Sequence, residues 1–363
     1  MAILLATLWP FDPFPRNRVS WLRNGNGIRF GGPGLVLSKG PLRADGAEAG
    51  NSCSLELLLR PASIDVSTTI LSFYSPDNPQ QFAVRQWTDG LLVTRDLVIA
   101  ENKMKRTKFD VDHVVQPGKL VLLTITSGAN GTVVYSNGSH AQAFSRFTIP
   151  QNVLSGQIIM GTSSVDYQPW RGEISGLAVY SKELTAAEVG RHYASWIGER
   201  GGDPADFDGI IARYAFTENS GDEIHNAVAS APSLDIPAYF RVPHKALLKS
   251  AAKEFEATRK YVIDILMNIA GFVPLGFIFC AYFLLGRTRG QAILYATLAG
   301  GILSLLIEVL QAYIPQRVSG TTDIITNTLG TLLGAMLARP DMVRAVLGKA
   351  KLIAAGGSAS QQY

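Results

Sequence analysis

The sequence predicts a multidomain protein in which an all-β sandwich is followed by an α-helical transmembrane domain. Two observations carry this prediction. Of the 363 residues, 47% are hydrophobic and 17% are charged, and the apolar excess is concentrated after residue 260. Before that point the chain has short alternating runs broken by glycine and proline, which is typical of β-strands joined by turns. A change of texture this sharp indicates two domains.

The predicted segments follow that change of texture. Met1 to Trp9 is apolar, but it carries no basic residue and no small-x-small cleavage site follows it, so a signal peptide is disfavoured. We interpret it as the stub of a truncated first membrane helix with Trp9 at the interface, and a floppy apolar terminus is the alternative. The segments are 1–16 (stub), 17–243 (sandwich), 244–260 (amphipathic interfacial linker), 261–340 (transmembrane domain of three helices) and 341–363 (basic, disordered tail).

Six runs in the first domain have the length and the β-branched or aromatic enrichment of strands. They are Ser54–Arg60, Thr69–Tyr74, Gln81–Trp87, Gly90–Thr94, Lys119–Ile125 and Gln157–Met160. Pairs of Asp or Asn with Gly separate several runs, and such pairs adopt positive φ at little cost. They predict hairpin turns at Asp89-Gly90, Asn130-Gly131 and Asn137-Gly138. Many short strands at this spacing predict an antiparallel sandwich.

The end of the first domain has a more specific pattern. An apolar strand carrying Ile174, Leu177 and Val179 is followed by Thr185 and Glu188, which are spaced as the capping box of a helix. This strand and helix, together with the run 213–221, resemble the closing elements of the laminin-G, concanavalin-like jelly-roll family. The resemblance implies a jelly-roll domain, and such domains include lectins, glycanases, adhesion modules and structural domains.

Catalysis within the sandwich is disfavoured. Retaining glycanases need two carboxylates about 5 Å apart, and no Glu-x-Asp-x-x-Glu pattern is present. The nearest acidic cluster, Asp110, Asp112 and His113, could hold calcium through its carboxylates, but a solvated turn is the favoured interpretation; no other cofactor is predicted. Four aromatic residues could either stack on sugar rings or fill the core: Trp87, Tyr135, Tyr167 and Trp170.

Between the domains, the run from Pro243 to Lys260 has an amphipathic pattern. Its apolar residues fall on one helical face and its lysines on the other (Leu247, Leu248, Ala251 and Phe255 against Lys249, Lys253 and Lys260). This pattern predicts a helix that lies along a membrane surface, and a solvated linker helix is the alternative.

Three apolar segments follow, at Tyr261–Leu285, Ala292–Ile314 and Thr321–Ala338. The first two meet the length of about 20 residues that a membrane span needs, and the third is marginal alone. Polar groups in hydrocarbon cost several kcal/mol unless they face protein or water, so the polar residues here are functional candidates. They are Asn268, Glu308, Gln311, Asp323 and Asn327, with Arg317 in a connecting loop. From the helical rise, the polar residues of the apolar segments lie roughly 6–12 Å below one membrane surface.

This polar pattern resembles the VanZ-like membrane family, which is named for a protein linked to glycopeptide (teicoplanin) resistance. The resemblance is carried by the run 268–276 (Asn-x-x-Gly-Phe-x-Pro-Leu-Gly), Glu308-x-x-Gln311, Arg317, and Asp323-x-x-x-Asn327-x-x-Gly330-x-x-x-Gly334. It implies a small multi-helix membrane domain of the cell envelope without specifying an activity.

We expect the polar residues of this pattern to have distinct roles. Arg317 would anchor an anionic group, while Glu308 and Asp323, the two catalytic candidates, would supply charge or proton transfer. Asn268, Gln311 and Asn327 would orient a ligand or, alternatively, bridge the helices.

The function expected from these patterns is an integral protein of the plasma (inner) membrane. Its net charge of +4 comes from scattered residues, which excludes a nucleic-acid surface and favours membrane lipids as partners. Lysines and arginines are equally numerous on the two sides of the predicted spans, so their count does not decide the orientation. The compact loop with Arg287 and Arg289 and the basic tail are taken as cytoplasmic, which, with a first helix restored, places the sandwich outside the membrane. It would bind a glycan or envelope polymer, and the membrane domain would bind a polar or lipid-linked ligand, in glycopeptide resistance or polysaccharide handling.

Two alternatives stay open. One is a membrane enzyme acting on a lipid-phosphate substrate, although no histidine follows His244 to serve as a general base. The other is a binding, structural or protein-interaction protein without chemistry. An enzymatic activity is therefore left open, with binding preferred.

Overall fold

The structure is a computed structural model that describes residues 9, 11–43, 50–64, 67–100, 103–198, 208–255 and 258–341. It divides into two compact units: one is Phe14–Lys245, and the other is Ala246–Tyr363 together with Met1–Pro13. The predicted stub, apart from Trp9 and residues 11–16, and the predicted tail beyond Asp341 lie outside the described residues.

The first unit is a sandwich of two antiparallel sheets. The first sheet has the order β1-β2-β13-β4-β9-β10-β11, with β14 also paired to β13, and the second has the order β15-β16-β3-β12-β5-β6-β7-β8. The strands are β1 (Val19–Trp21), β2 (Ile28–Phe30), β3 (Val36–Leu42), β4 (Cys53–Pro61), β5 (Ser67–Ser75), β6 (Asn78–Trp87), β7 (Gly90–Ala100), β8 (Lys103–Val111), β9 (Val121–Gly128), β10 (Gly131–Ser136), β11 (Ser139–Phe144), β12 (Gly156–Met160), β13 (Gly172–Tyr180), β14 (Ile210–Tyr214), β15 (Glu223–Ile224) and β16 (Leu234–Asp235). The predicted sandwich is confirmed.

Both faces of the central strand β4 are buried. Leu57 and Leu59 point into the core between the sheets, whereas Leu58 belongs to a second apolar cluster on the outer face. A helix, α1 (Ala186–Ile197), covers that cluster with Val189. The predicted capping box starts this helix, because the Thr185 hydroxyl accepts from the Glu188 N–H at 3.3 Å. This double coverage explains why the three successive residues Leu57, Leu58 and Leu59 are all apolar, where a strand with one solvated face would alternate.

The hairpin turns are present, but two of the three are shifted from the prediction. At the β9–β10 hairpin Gly131 already pairs with Gly128, so the loop residues are Ala129 and Asn130. Asn137 and Gly138 have φ of 50° and 77° and join β10 to β11 as predicted. At the β6–β7 hairpin the two loop residues are Thr88 and Asp89, because Gly90 already pairs with Trp87. Gly90 is needed inside the strand, since a side chain there would overlap the Val111 carbonyl.

The predicted amphipathic linker helix is wrong over most of its length. Among the described residues of this segment, only α2 (Ala251–Glu254) and the last two residues, Arg259 and Lys260, which begin the next helix, are helical. The Lys249 N–H donates to the Ser319 carbonyl, and the Lys249 carbonyl accepts from the Thr321 N–H, each at 2.9 Å. These long-range bonds hold the backbone extended, so the amides that a helix would use are already satisfied.

The second unit has three main helices, α3 (Arg259–Phe283), α4 (Arg289–Ala312) and α5 (Thr321–Leu337). By length and composition α3 and α4 could each cross a membrane, with mean hydropathies of 2.0 and 2.1 over their most apolar windows. Helix α5 is shorter, at 17 residues. The predicted three-helix arrangement is therefore present, with slightly different bounds.

Glycines bring α3 and α5 together backbone to backbone. A Cβ at Gly330 would overlap the Ile269 carbonyl, and one at Gly334 would overlap the Val273 carbonyl. In return, a Cβ at Gly276 would overlap the Thr331 carbonyl. This is the small-xxx-small packing that Gly330 and Gly334 predict.

Candidate functional site

Carboxylates from two other segments lie at the first turn of α5. Its N-cap, Gly320, has no side chain to cap the free N–H groups of the helix. Glu308 of α4 accepts from the Gly320 N–H at 2.8 Å, and Glu254 of α2 accepts from the Thr322 N–H at 3.0 Å. Negative charge is stabilised at a helix N-terminus, so both carboxylates lie where the backbone favours them.

Asp323 lies in the same turn of α5 and connects it to α3. The Asn268 amide donates to the Asp323 carboxylate at 2.8 Å. Two of the predicted site residues are thus directly bonded across two helices, 55 positions apart in sequence. The predicted convergence at one end of the helical unit is what the structure has.

One turn further along α5, Asn327 is buried against α4. Its amide donates to the Ser304 hydroxyl at 3.0 Å, whereas its Oδ1 is buried and has no partner among the described residues. Such an atom costs about 1–3 kcal/mol unless something donates to it. Gln311 is also buried on α4. The predicted amides therefore lie between the helices.

Arg317 does not join this cluster. Its guanidinium donates to the Trp9 carbonyl. Within the part of the chain that the structure describes, no basic side chain forms an ion pair with Glu308, Asp323 or Glu254. The described residues therefore contain a carboxylate cluster, comprising Glu254, Glu308 and Asp323, with which none of their basic side chains forms an ion pair.

Sequence reasoning missed Glu254 and Ser304. Glu254 reaches the site through a bond spanning 68 positions, and nothing in its local sequence indicates that contact. Ser304 could have been found, because it lies four residues before Glu308 and therefore shares its helical face.

The carboxylate cluster is suited to accepting hydrogen bonds. Ionised carboxylates are acceptors only, so they match N–H and O–H donors of a ligand. No group of three or more His, Cys, Asp or Glu with a metal-binding arrangement occurs among the described residues. The cluster can bind donors or hold a proton.

In the sandwich, some of the residues considered for sugar or calcium binding lie in the core and others at the surface. Trp170 is fully buried and its indole N–H donates to Gln86 at 2.7 Å, and Tyr135 is also buried. Trp87 is half exposed. His113 meets Asp89 rather than the neighbouring aspartates. Trp170 and Tyr135 are therefore buried, whereas Tyr167 is half-buried and Trp87 lies at the surface.

A buried polar network beneath α1 was not anticipated. Glu56 of β4 is fully buried and accepts from the Tyr180 hydroxyl at 2.7 Å and from the Trp196 indole N–H at 2.9 Å, with His192 Nδ1 at 3.0 Å. Burial, followed by the Glu56 charge, raises the pKa of Tyr180 far above its usual range, which keeps this hydroxyl a donor. With no solvent access, the network fixes α1 to the sheet.

Comparison with known proteins finds two different families, one for each of two parts of the chain. Residues 40–190 match the family model of the concanavalin A-like lectin/glucanases superfamily, and residues 213–344 match that of the VanZ/LLP1 family. The second match begins within β14, before the helical unit starts. No curated protein matches the chain in a sequence search.

Solved structures similar to the chain match it at low identity. A proposed carbohydrate-binding protein from Bacteroides ovatus is 14% identical, with a TM-score of 0.39, and the match covers 60% of this chain and 61% of that protein. A heptameric SAP-like pentraxin from Limulus polyphemus is 15% identical, with a TM-score of 0.36, over 61% of this chain and 93% of that one. The ligand-binding domain of botulinum neurotoxin serotype D, solved with N-acetylneuraminic acid, is 17% identical, with a TM-score of 0.35, over 50% and 45%. The two family models thus match separate parts of the chain, the concanavalin A-like model within the first part and the VanZ/LLP1 model within the second, as the two resemblances in the sequence predict.

Proposed function

We propose that this protein is an integral membrane protein of the cell envelope that binds a glycan or envelope polymer with its sandwich. Its helical unit binds the polar headgroup of a membrane lipid or of a lipid-linked form of that polymer. Binding of this kind would serve envelope polysaccharide handling or, by sequestering a glycopeptide or its target, glycopeptide resistance.

Membrane insertion is supported by the outward surface of the helices. Only 11% of the most apolar window of α3 and 28% of that of α4 are buried. Leu266, Met267 and Ile302, for example, are largely exposed. The core helix of a soluble protein would cover such side chains with protein, so hydrocarbon is the solvent that fits them.

For the orientation we propose that the sandwich is extracytoplasmic in the plasma membrane. Arg287 lies between α3 and α4 and Arg289 is the first residue of α4, and basic residues favour the cytoplasmic side of a membrane. The opposite ends of these helices, which carry the carboxylate cluster, would then face outward.

The carboxylate cluster is the observation that carries the proposal for the helical unit. Three acidic side chains meet one helix N-terminus, and two of them accept from its backbone N–H groups. Hydroxyl and amine donors of a headgroup would complete such a site, whereas a bare phosphate would be repelled by like charge. The cluster therefore favours donor-bearing headgroups over the lipid-phosphate chemistry of the alternative enzyme.

The test compares lipids that differ in headgroup donors. The full chain would be placed in nanodiscs containing phosphatidylethanolamine, phosphatidylcholine or a monoglucosyl diacylglycerol, and its thermal unfolding measured. Ethanolamine and choline headgroups have the same net charge, but only ethanolamine has N–H donors. We expect a higher Tm with the ethanolamine and glucosyl lipids than with choline.

Variants test whether the preference for ethanolamine over choline lipids depends on the carboxylate cluster. Glu308→Gln and Asp323→Asn keep the shape of each side chain and an acceptor oxygen, yet they remove the charge. Each should reduce the Tm difference between ethanolamine and choline lipids by half or more. Asp341→Asn is the control, because it removes the same charge from an exposed position outside the cluster. Equal lipid preferences in all variants would mean that the cluster only caps the N-terminus of α5 and does not bind the headgroup.

A further inference from the structure

An open groove lies on the outer face of the first sheet of the sandwich, beside α1. The helix covers one part of this face, over Leu58, and leaves the part near β1, β2 and the start of β13 uncovered. The resulting cavity has a volume of about 1200 Å³. This exceeds the roughly 300–1,000 Å³ of ordinary small-molecule pockets and would hold a short stretch of a polymer.

A row of three charged side chains crosses the floor of the groove. Glu173 of β13 pairs in register with Arg29 of β2 on one side and with Arg60 of β4 on the other. Arg29 donates to Glu173 through Nε at 3.0 Å and Nη2 at 2.7 Å, and Arg60 donates through Nη1 at 3.1 Å. The mostly buried glutamate thus holds two more exposed guanidinium groups in fixed orientations.

These arginines keep unused donors after binding Glu173. Each guanidinium has five N–H donors, and Arg29 uses two of them on this glutamate while Arg60 uses one. The Arg60 Nε is buried and has no hydrogen-bond partner within the described residues. Four arginines and two glutamates line the groove, so its lining carries a net charge of +2 before any histidine is counted. The groove is therefore prepared for anionic oxygens.

The groove also offers groups that suit a polyhydroxylated chain. Glu218 accepts from the His225 N–H at 2.7 Å, but its second oxygen is buried without a partner among the described residues. The Trp21 ring lines the groove and its indole N–H is occupied by the Gly221 carbonyl at 2.8 Å. An acceptor for a hydroxyl group and an aromatic ring thus lie in the same cavity as the arginines.

We propose that this groove binds an acidic saccharide, a polyhydroxylated chain that bears carboxylate or phosphate groups. The proposal rests on the function proposed above and specifies the class of polymer that the sandwich recognises. Arg29 and Arg60 bind the anionic groups, Glu173 positions both arginines, and Glu218 with Trp21 contacts the sugar.

The experiment uses polymers that share one backbone. Plain dextran, carboxymethyl-dextran and dextran phosphate are titrated against the full chain in detergent, with polyglutamate as an anionic polymer without sugar. We expect saturable binding of one or both acidic dextrans, which identifies carboxylate or phosphate as the preferred group, and much weaker binding of plain dextran and polyglutamate. Added salt should weaken the binding of the acidic dextrans.

Arginine variants locate the binding in the groove. Arg29→Ala and Arg60→Ala should each weaken acidic dextran binding about tenfold, because each removes a charge-assisted contact. Arg146→Ala, which removes the same charge from an exposed position outside the groove, should leave the affinity unchanged. Thermal unfolding checks the folding of each variant, and Arg29 is exposed enough that its truncation should not disturb the core.

The outcomes separate this proposal from the function on which it rests. Binding of a neutral glycan alone, or equal affinities of the Arg29, Arg60 and Arg146 variants, overturns the groove proposal while a glycan-binding sandwich stands. Polyglutamate binding as tightly as the acidic dextrans also overturns it, since charge alone would then explain the binding. No binding of any saccharide overturns both.

Discussion

At the scale of single residues, Cys53 shows how burial controls chemistry in the sandwich. Its thiol is almost fully buried and donates to the Ile149 carbonyl at 3.1 Å. Burial raises the pKa of this thiol to about 12. Because the thiolate is the reactive form, we predict that a thiol reagent leaves Cys53 unmodified at pH 8 until the sandwich unfolds.

The same pKa predicts how the free energy of unfolding depends on pH. Between about pH 9 and pH 12 the folded chain keeps a proton that the unfolded chain has lost, so stability falls as pH rises. One such group contributes a slope of up to about 1.4 kcal/mol per pH unit. Denaturant unfolding followed by tryptophan fluorescence should show a steeper loss above pH 9 in the natural chain than in Cys53→Ser. Identical slopes would contradict the assignment.

Single residues also show what could not be predicted from the sequence. Polar side chains in apolar segments pointed to Asn268, Glu308 and Asp323, because hydrocarbon excludes such groups unless they are paired. Their partners could not be predicted in the same way. The bond between Asn268 and Asp323 depends on the packing of α3 against α5, and Arg317, which a charge argument would pair with a carboxylate, meets a backbone carbonyl instead.

At the scale of elements, the contact between α3 and α5 depends on glycine. Gly330→Ala and Gly334→Ala would push a methyl group into a carbonyl of α3. Overpacking of this kind costs about 1–3 kcal/mol, so we predict a lower Tm for both variants in detergent. Gly271→Ala is the matched control, since it also lies within α3 but has open space around it.

The control should behave in the opposite way. Alanine is favoured over glycine in a helix by about 0.8–1 kcal/mol, so Gly271→Ala should leave the Tm unchanged or raise it. A similar loss of stability in all three variants would mean that chain flexibility, rather than close packing, is what these glycines provide.

Elements with a strong local signal were predictable, and elements decided by distant contacts were not. The capping box before α1 and the Asn137-Gly138 turn are local, and both are present. The linker before α3 had the periodicity of an amphipathic helix, but its backbone pairs with residues about 70 positions away. An amphipathic pattern states which face is apolar, and it cannot state whether another segment takes the backbone hydrogen bonds first.

At the scale of the whole molecule, the two-domain division was predictable because composition changes abruptly near residue 260. Sheet order was not, since neighbours such as β13 and β4 are more than 110 positions apart and many registers satisfy the same alternation. The groove depends on that order, because Arg29, Glu173 and Arg60 come from three strands that are far apart in sequence. No local motif could have assembled them.

The division into two units predicts two independent binding activities. The groove belongs to the unit Phe14–Lys245 and the carboxylate cluster to the unit that contains Ala246–Tyr363, and they share no residues. Glu308→Gln should therefore leave the affinity for an acidic dextran unchanged, and Arg29→Ala should leave the Tm preference for ethanolamine over choline lipids unchanged.

A double variant tests whether the two binding activities are independent. Substitutions at distant sites without shared partners usually add within about 0.5 kcal/mol, so Arg29→Ala combined with Glu308→Gln should show each single defect at its original size. Titration of acidic dextran in nanodiscs of both lipids measures this directly. A dextran affinity that depends on the headgroup and loses this dependence in Glu308→Gln would instead mean that the units are coupled. The polymer bound by the sandwich would then be linked energetically to the lipid bound by the helices, as in a single receptor for a lipid-linked polymer.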